Sequence, residues 1–316
     1  MQTKTMWEIV KETGSAWSDD NATRLAAALA YYTVLSIAPL LVVAVSVAGL
    51  FFGEEAARGQ IASELSGIVG KQAGEGIQTV LTHAKSPDEG IIGSIVGVVV
   101  LLFGASGVFG ELQSSLNAIW NVAPKPGLGI WGFVRQRFFS FSMVLGVAFL
   151  LLVSLVLSAL LAGVGAFFSD KLPGGAVLWE IANFGVSLGV ITVLFAMLFK
   201  VVPDVQIKWS DVWLGALVTA VLFTVGKWAL GLYLGRASVA SPYGAAGSLI
   251  VLVIWVYYAA QLVFLGAEFT QVYTLHRGSR IVPNENAVPV EVVKKVVAGP
   301  GQPHPPEASP NKPHTA

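Results

Sequence analysis

The sequence predicts an all-α polytopic membrane protein: a bundle of six transmembrane helices, with an N-terminal interfacial helix and short helices in the first external loop. Of its 316 residues, 54% are hydrophobic and only 12% are charged, and the mean hydropathy is +0.70. Soluble domains carry about 25% charged residues, so this composition indicates a membrane protein. The last hydrophobic run, Ala245 to Leu265, has no charge. At ~1.5 Å per residue, it is long enough to cross the hydrocarbon core of a bilayer.

Six hydrophobic segments are long enough to cross a membrane as helices. They lie near 25–52, 91–110, 138–168, 177–202, 212–234 and 245–273. The chain divides into an interfacial helix at 1–22, a transmembrane domain at 23–277 and a cytoplasmic tail at 278–316. The tail is rich in Pro, Gly, Ala and Lys, a composition that predicts disorder.

Two segments outside the spans have helical spacing. In the first twenty residues, Met6, Val10 and Trp17 lie near one face, which predicts a short helix on the cytoplasmic membrane surface. The long loop at 53–90 carries apolar residues such as Ile61 and Leu65 at helical intervals. We expect short helices there, lying over the outer mouth of the bundle.

The orientation follows from the distribution of Lys and Arg. Thirteen of the nineteen lie at the N-terminus, in the loops at 111–137 and 200–211, and in the C-terminal tail, whereas the alternate loops hold five. Positive charge marks the cytoplasmic side of a membrane protein. We therefore expect a multi-pass protein of the inner (plasma) membrane with both termini in the cytoplasm.

Enzymatic chemistry finds little support in the residues. There is no cysteine, and none of the four histidines has a second metal ligand at binding spacing. No Walker loop, G-x-S-x-G or HExxH motif occurs. We expect no catalytic residue, cofactor or metal site. No basic, aromatic-lined face indicates a nucleic-acid partner.

A polar stripe runs along the last span. Tyr257, Gln261, Glu268 and Gln271 recur at intervals that place them on one helix face, with Phe264 between them. A helix surrounded by lipid would not carry this stripe, so it faces neighbouring helices or a wet cavity.

Two interpretations of Glu268 and Glu111 stay open. In the first, they cap helix ends and form ion pairs that hold the bundle together. In the second, they join Gln261 in a polar vestibule that opens to the cytoplasm and receives a headgroup or an ion. Three arginines from inner helix ends could neutralise the carboxylates: Arg24, Arg135 and Arg137. The candidate polar pathway comprises Gln261, Glu268, Glu111, Tyr31, Tyr32, Asn117 and Lys227.

Lys227 is the single Lys or Arg well inside a predicted span. It either extends its amine to the headgroups beside Trp228, or pairs with Glu180 or Asn183 inside the bundle. For the adjacent tyrosines of the pathway, hydrogen bonding in the vestibule and a place in the interfacial aromatic belt are both consistent with the sequence.

Glycines at intervals of four, as in Gly185-x-x-x-Gly189, indicate close helix packing rather than a ligand site. They leave open a homodimer that forms through these glycine faces.

Three motifs together resemble the YihY / virulence factor BrkB family of bacterial inner-membrane proteins. They are AAALAYYTVLSIAPLL (Ala26–Leu41), FGASGVFGELQSSLNAIWNV (Phe103–Val122) and YGAAGSLIVLVIWVYYAAQLVFLGAEFTQVY (Tyr243–Tyr273). The resemblance spans roughly residues 7–277 and implies six transmembrane helices. Members were once labelled ribonuclease BN, a label generally regarded as mistaken. One member is associated with serum resistance and another with export of lipid A precursors.

The resemblance and the polar residues favour a transporter or flippase-like protein for a lipid or amphipathic envelope component. Its partners would be membrane lipids, including a lipid substrate. The alternative is a non-transporting scaffold in envelope assembly or serum resistance, and a ribonuclease is a distant third. A hydrated path along Gln261 and Glu268 would favour transport, and a bundle packed dry throughout would favour the scaffold.

Overall fold

The computed structural model describes residues 6–69, 74, 77–78, 107–126, 175–236, 247–277 and 279–290. These residues are mostly helical. The helices are α1 (Met6–Asp19), α2 (Ala22–Phe52), α3 (Glu54–Val69), α4 (107–119), α5 (Gly175–Val201), α6 (Trp209–Arg236) and α7 (Gly247–His276). The predicted span at 138–168, and that at 91–110 apart from its last four residues, lie outside the described residues.

Three described helices are long and apolar enough to cross a membrane. The qualifying stretches are Phe184–Val201, Trp209–Tyr233 and Leu249–His276, and α2 contributes a shorter apolar stretch, Ala22–Ala38. The three long stretches coincide with the last three spans predicted from hydropathy. The chain is therefore a membrane protein, and the full count of six spans stays a prediction.

The joint between α1 and α2 folds the N-terminal helix back onto α7. Asn21 there adopts a left-handed conformation (φ 52°, ψ 44°), which asparagine tolerates better than most residues. Ile9 of α1 packs with Phe269 and Val272 of α7. Met6, in the first turn of α1, is more than half exposed. The helix at the N-terminus is thus present, and its position at a membrane surface stays a prediction.

The loop at 53–90 begins with a helix, as its apolar spacing predicts. Gly53, at φ 83°, ends α2 and lets α3 start at once. Ile61 and Leu65 of α3 pack on a cluster that includes Leu41 of α2 and Val251 of α7. The loop helix therefore covers one end of the α2–α7 pair.

Helices α6 and α7 approach closely through a reciprocal pair of glycine–threonine contacts. A Cβ on Gly215 of α6 would clash with the Thr270 hydroxyl, and one on Gly266 of α7 would clash with the Thr219 hydroxyl. Each threonine Oγ1 donates a 2.7 Å hydrogen bond to the carbonyl oxygen of the glycine four residues earlier in its own helix. Small residues with internally bonded hydroxyls suit helix contacts in a membrane.

The main hydrophobic core joins α2, α4, α5, α6 and α7. Alanines at the helix contacts bring the backbones close, and large side chains fill the remaining space. Its fully buried members include Ala22, Ala26, Leu116, Trp120, Ala196, Phe199, Val212, Ala216, Phe264 and Ala267.

The prediction of a disordered tail from residue 278 is wrong for residues 279–290. Strand β4 (Ala287–Pro289) pairs antiparallel with β1 (Val122–Pro124), which follows α4. Strand β3 (Val282–Pro283) pairs with β2 (Val205–Gln206), which follows α5. The chain after α7 is held because loops distant in sequence supply its hydrogen-bond partners. Residues 291–316 lie outside the described residues.

Candidate functional site

Glu268 is the one acidic side chain of α7, and it lies inside the protein. Its exposure is 0%, and the polar group within hydrogen-bonding reach of it is another acid, the Asp20 carboxyl; no N–H or hydroxyl donor bonds to either of its oxygens in the described residues. The charges that act on it come from the carboxyls of Asp20 and Asp19 at the end of α1. A buried carboxyl that faces like charge is costly unless a proton or another positive group reaches it.

Arg24, predicted as a neutralising partner, does not reach this carboxyl. Its side chain is exposed and forms no ion pair with a described residue. Arg135 and Arg137 lie outside the described residues. Glu268 therefore has neither of the structural roles that the sequence suggested: it does not cap a helix end, and it forms no ion pair within the described ranges.

The other members of the polar stripe divide between two roles. Gln271 is buried and donates a 2.6 Å hydrogen bond from Nε2 to the carbonyl oxygen of Ile119, which ties α7 to the end of α4. Gln261 is half-buried, and no described residue bonds to its amide. Phe264 is fully buried between them, so side chains interrupt the stripe. The Tyr257 hydroxyl likewise has no hydrogen-bond partner among the described residues, and the Glu268 carboxyl meets only the acidic side chains of Asp20 and Asp19.

Asn117, a member of the candidate pathway, forms hydrogen bonds with the loop after α5, and its place in a pathway stays a prediction. Its Nδ2 donates to Oδ2 of Asp204 (2.8 Å), and its Oδ1 accepts from the backbone N–H of Asp204 (2.7 Å). Gln113 donates to the same carboxylate oxygen at 3.2 Å. These bonds fix the loop after α5 against α4. Glu111, on the same helix, is half-buried.

A second anchored carboxylate lies at the start of α6. The Asp211 side chain is buried and accepts hydrogen bonds from Ser279 Oγ (2.9 Å) and Arg277 Nη1 (3.4 Å). It holds the chain after α7 at the start of α6, and the backbone carbonyl oxygen of Asp204 accepts a further hydrogen bond from the Asn284 N–H (2.8 Å). The sequence offers no local signal for either network, because the partners lie 66 to 91 residues apart.

The two tyrosines of the candidate pathway lie at the surface. Tyr31 is 63% exposed and Tyr32 is 40% exposed, and their rings meet edge to face at 5.7 Å. This placement favours the aromatic belt over a buried vestibule. Tyr32 also lies beside Gly107, which brings α2 against the first described turn of α4.

Lys227 lies on an exposed face of α6, next to Trp228, which is 68% exposed. No described carboxylate pairs with it, and the side chains of Glu180 and Asn183 lie outside the described residues. The arrangement fits an amine that extends to the headgroup region. Within the described ranges, no group of three acidic or histidine side chains could hold a metal ion.

Comparison with known proteins gives a family match across most of the chain. A family model described as Virulence factor BrkB matches residues 13–291. The UPF0761 membrane protein of Ralstonia nicotianae is 30% identical over 79% of this chain, and the match covers 55% of that relative. The UPF0761 membrane proteins of Alteromonas mediterranea and Mannheimia succiniciproducens are 27% and 28% identical, over 80% and 81% of this chain and 83% and 86% of their own lengths. No solved structure matches the chain.

Proposed function

Because this chain belongs to the Virulence factor BrkB family of membrane proteins, we propose that it is a transporter or flippase-like protein for a lipid or amphipathic envelope component. Its site of action is the bacterial inner membrane, with both termini in the cytoplasm. The observation that carries the proposal is Glu268, a fully buried carboxyl whose polar neighbours among the described residues are two further carboxyls, Asp20 and Asp19.

A purely structural protein would lose stability by keeping an ionisable carboxyl at position 268. An uncompensated buried charge costs about 3–5 kcal/mol, and ionisable groups within spans usually serve transport or a related function. A scaffold would gain stability from an apolar residue at position 268. A carboxyl at position 268 therefore lowers the stability of the protein, and functional sites commonly carry such a loss.

The geometry supports a route for a polar headgroup along α7. Gln261 lies seven residues before Glu268, about 10 Å along the helix and near the same face. A headgroup that moved along this face would exchange one polar partner for the next.

In the present conformation this route is closed, because Phe264 blocks this face and Glu268 is sealed from solvent. Transport therefore requires a second conformation in which α1 or α2 moves away from α7.

The scaffold is the second candidate, and the anchored carboxylates Asp204 and Asp211 favour it. The Asp211 carboxylate binds the chain after α7 to the start of α6, and the Asp204 carboxylate fixes the loop after α5 on α4, as a docking platform would require. A protein of this class would hold partners and move no lipid.

Reconstitution in liposomes distinguishes the transporter from the scaffold. Purified protein is placed in liposomes with a fluorescent phospholipid or, separately, a lipid A precursor, and leaflet accessibility is followed over time. We expect protein-dependent movement that Glu268→Gln and Gln261→Ala reduce, while Glu55→Gln, an exposed carboxyl on α3, serves as the matched control. No movement above empty liposomes for either lipid would reject transport in favour of the scaffold.

A further inference from the structure

An apolar groove runs between α5 and α6 on the outer surface of the bundle. Its volume is about 720 Å³, and its lining includes Gly185, Gly189, Thr192, Ser210, Trp213 and Leu217. It is separate from Glu268, which faces α1. A groove on the outer surface of two candidate spans faces the hydrocarbon of the bilayer.

Two glycines leave part of the groove lining without side chains. A Cβ built on Gly185 or Gly189 would meet no atom within 4 Å. The spacing Gly185-x-x-x-Gly189 predicted close helix packing, but no described residue packs against these two glycines. Thr192 adds no free polar hydrogen, because its hydroxyl donates to the carbonyl oxygen of Leu188 at 2.7 Å. The groove is thus shaped for a flexible apolar chain.

The α6 end of the groove carries polar and cationic groups. The indoles of Trp213 and Trp209 lie 6.4 Å apart, and the amine of Lys200 lies 5.9 Å from the Trp209 ring centroid. Lys200 donates one hydrogen to the carbonyl oxygen of Ile207 and keeps two of its three for another acceptor. Lys208 is exposed in the same loop.

The apolar groove, the indoles and the lysines follow one another in the same order as the acyl chain, the headgroup level and the phosphate of a phospholipid. Indoles lie at the headgroup level of a bilayer, and lysines next to a span attract anionic lipid. We propose that the groove binds one acyl chain of an anionic phospholipid, with the lipid phosphate held at Lys200 and Lys208. Such a lipid is a bound component of the protein, and its binding does not depend on transport of any substrate.

Native mass spectrometry of the detergent-purified protein tests this directly, with phosphatidylglycerol or phosphatidylcholine of the same chain length added. We expect retained phosphatidylglycerol on the wild type. Gly189→Leu fills the groove and should abolish retention, whereas Gly231→Leu, at an exposed and equally open glycine of α6, should not. Lys200→Gln should lower the preference for phosphatidylglycerol about fivefold, the effect of one lysine beside an anionic surface.

Three results would overturn the proposal: equal retention of the two lipids by the wild type, equal retention by wild type and Gly189→Leu, or a dimer that Gly189→Leu converts to a monomer. The last would assign the groove to a second copy of the chain. Gly185→Leu provides a second variant if Gly189→Leu does not fold. Because lipid retention is measured without liposomes, its failure is distinct from failure of transport.

Discussion

Thr270 of α7 packs directly on the backbone of Gly215 of α6, where no side chain could fit. The same contact recurs one turn away with the roles exchanged, since Thr219 of α6 packs on Gly266 of α7. The last two helices are therefore joined by a symmetric contact that depends on two glycines. Because α7 also carries Glu268, this contact sets the position of the candidate site relative to α6.

Gly266→Ala should destabilise the protein by about 1–3 kcal/mol, the usual cost of forcing extra volume into a packed contact. Gly231→Ala is the matched control, because that glycine is open and alanine favours a helix. The unfolding midpoints of the two variants and the wild type are measured by thermal unfolding in detergent micelles. Equal midpoints for the two variants would contradict the close approach of α6 and α7.

The Asn117–Asp204 pair should behave as one unit in a double-mutant cycle. Both single changes to alanine remove the bond from Asn117 Nδ2 to the Asp204 carboxylate, which is worth about 1.5–3 kcal/mol as a bond to a charged acceptor, so the double variant should cost less than the sum of the two single losses. Gln206→Ala, on an exposed side chain of β2, is the control for the loop. Additive losses would show that the two residues act independently.

Replacing Glu268 by leucine should stabilise the folded protein by roughly 1–3 kcal/mol, because a buried carboxyl that faces the acidic side chains of Asp20 and Asp19 is removed. Gln271→Leu, one turn away, should destabilise it, since the carbonyl oxygen of Ile119 then loses its donor. Unfolding midpoints of the two variants give the comparison. Destabilisation by Glu268→Leu would mean that the carboxyl has a structural partner.

The absence of cysteine makes the predicted orientation simple to test. Ser15, Glu55 and Glu285 are all exposed and can be replaced singly by cysteine. On intact spheroplasts, a membrane-impermeant maleimide should label Glu55→Cys alone. Ser15→Cys and Glu285→Cys should react only after the membrane is opened. Labelling of all three from outside would reject cytoplasmic termini.

The sequence predicts well the features that depend on local pattern. Hydropathy placed the last three spans within three residues of helices α5, α6 and α7, because an apolar run of that length has few other folds available in a membrane. The helical spacing around Ile61 also predicted α3. These signals need no knowledge of which residues meet in space.

The sequence did not predict the features that depend on contacts between residues far apart in the chain. Strands β3 and β4 are two and three residues long, too short for a propensity signal, and they exist because β2 and β1 pair with them. The burial of Glu268 likewise depends on α1 folding back at Asn21, whereas the sequence placed this carboxyl near the cytoplasmic interface. Asn117 is conspicuous as a polar residue, but nothing near it in sequence shows that Asp204 is its partner.

The most direct test of the transport proposal is the initial rate of lipid movement by Glu268→Gln relative to the wild type, at equal protein in the same liposomes. Glutamine keeps the size of the side chain and removes its ability to carry a charge or bind a proton. The proposal predicts a rate at least about tenfold lower, equivalent to roughly 1.4 kcal/mol in the barrier, from a protein that unfolds at the same temperature or higher. An unchanged rate would contradict a functional role for this carboxyl.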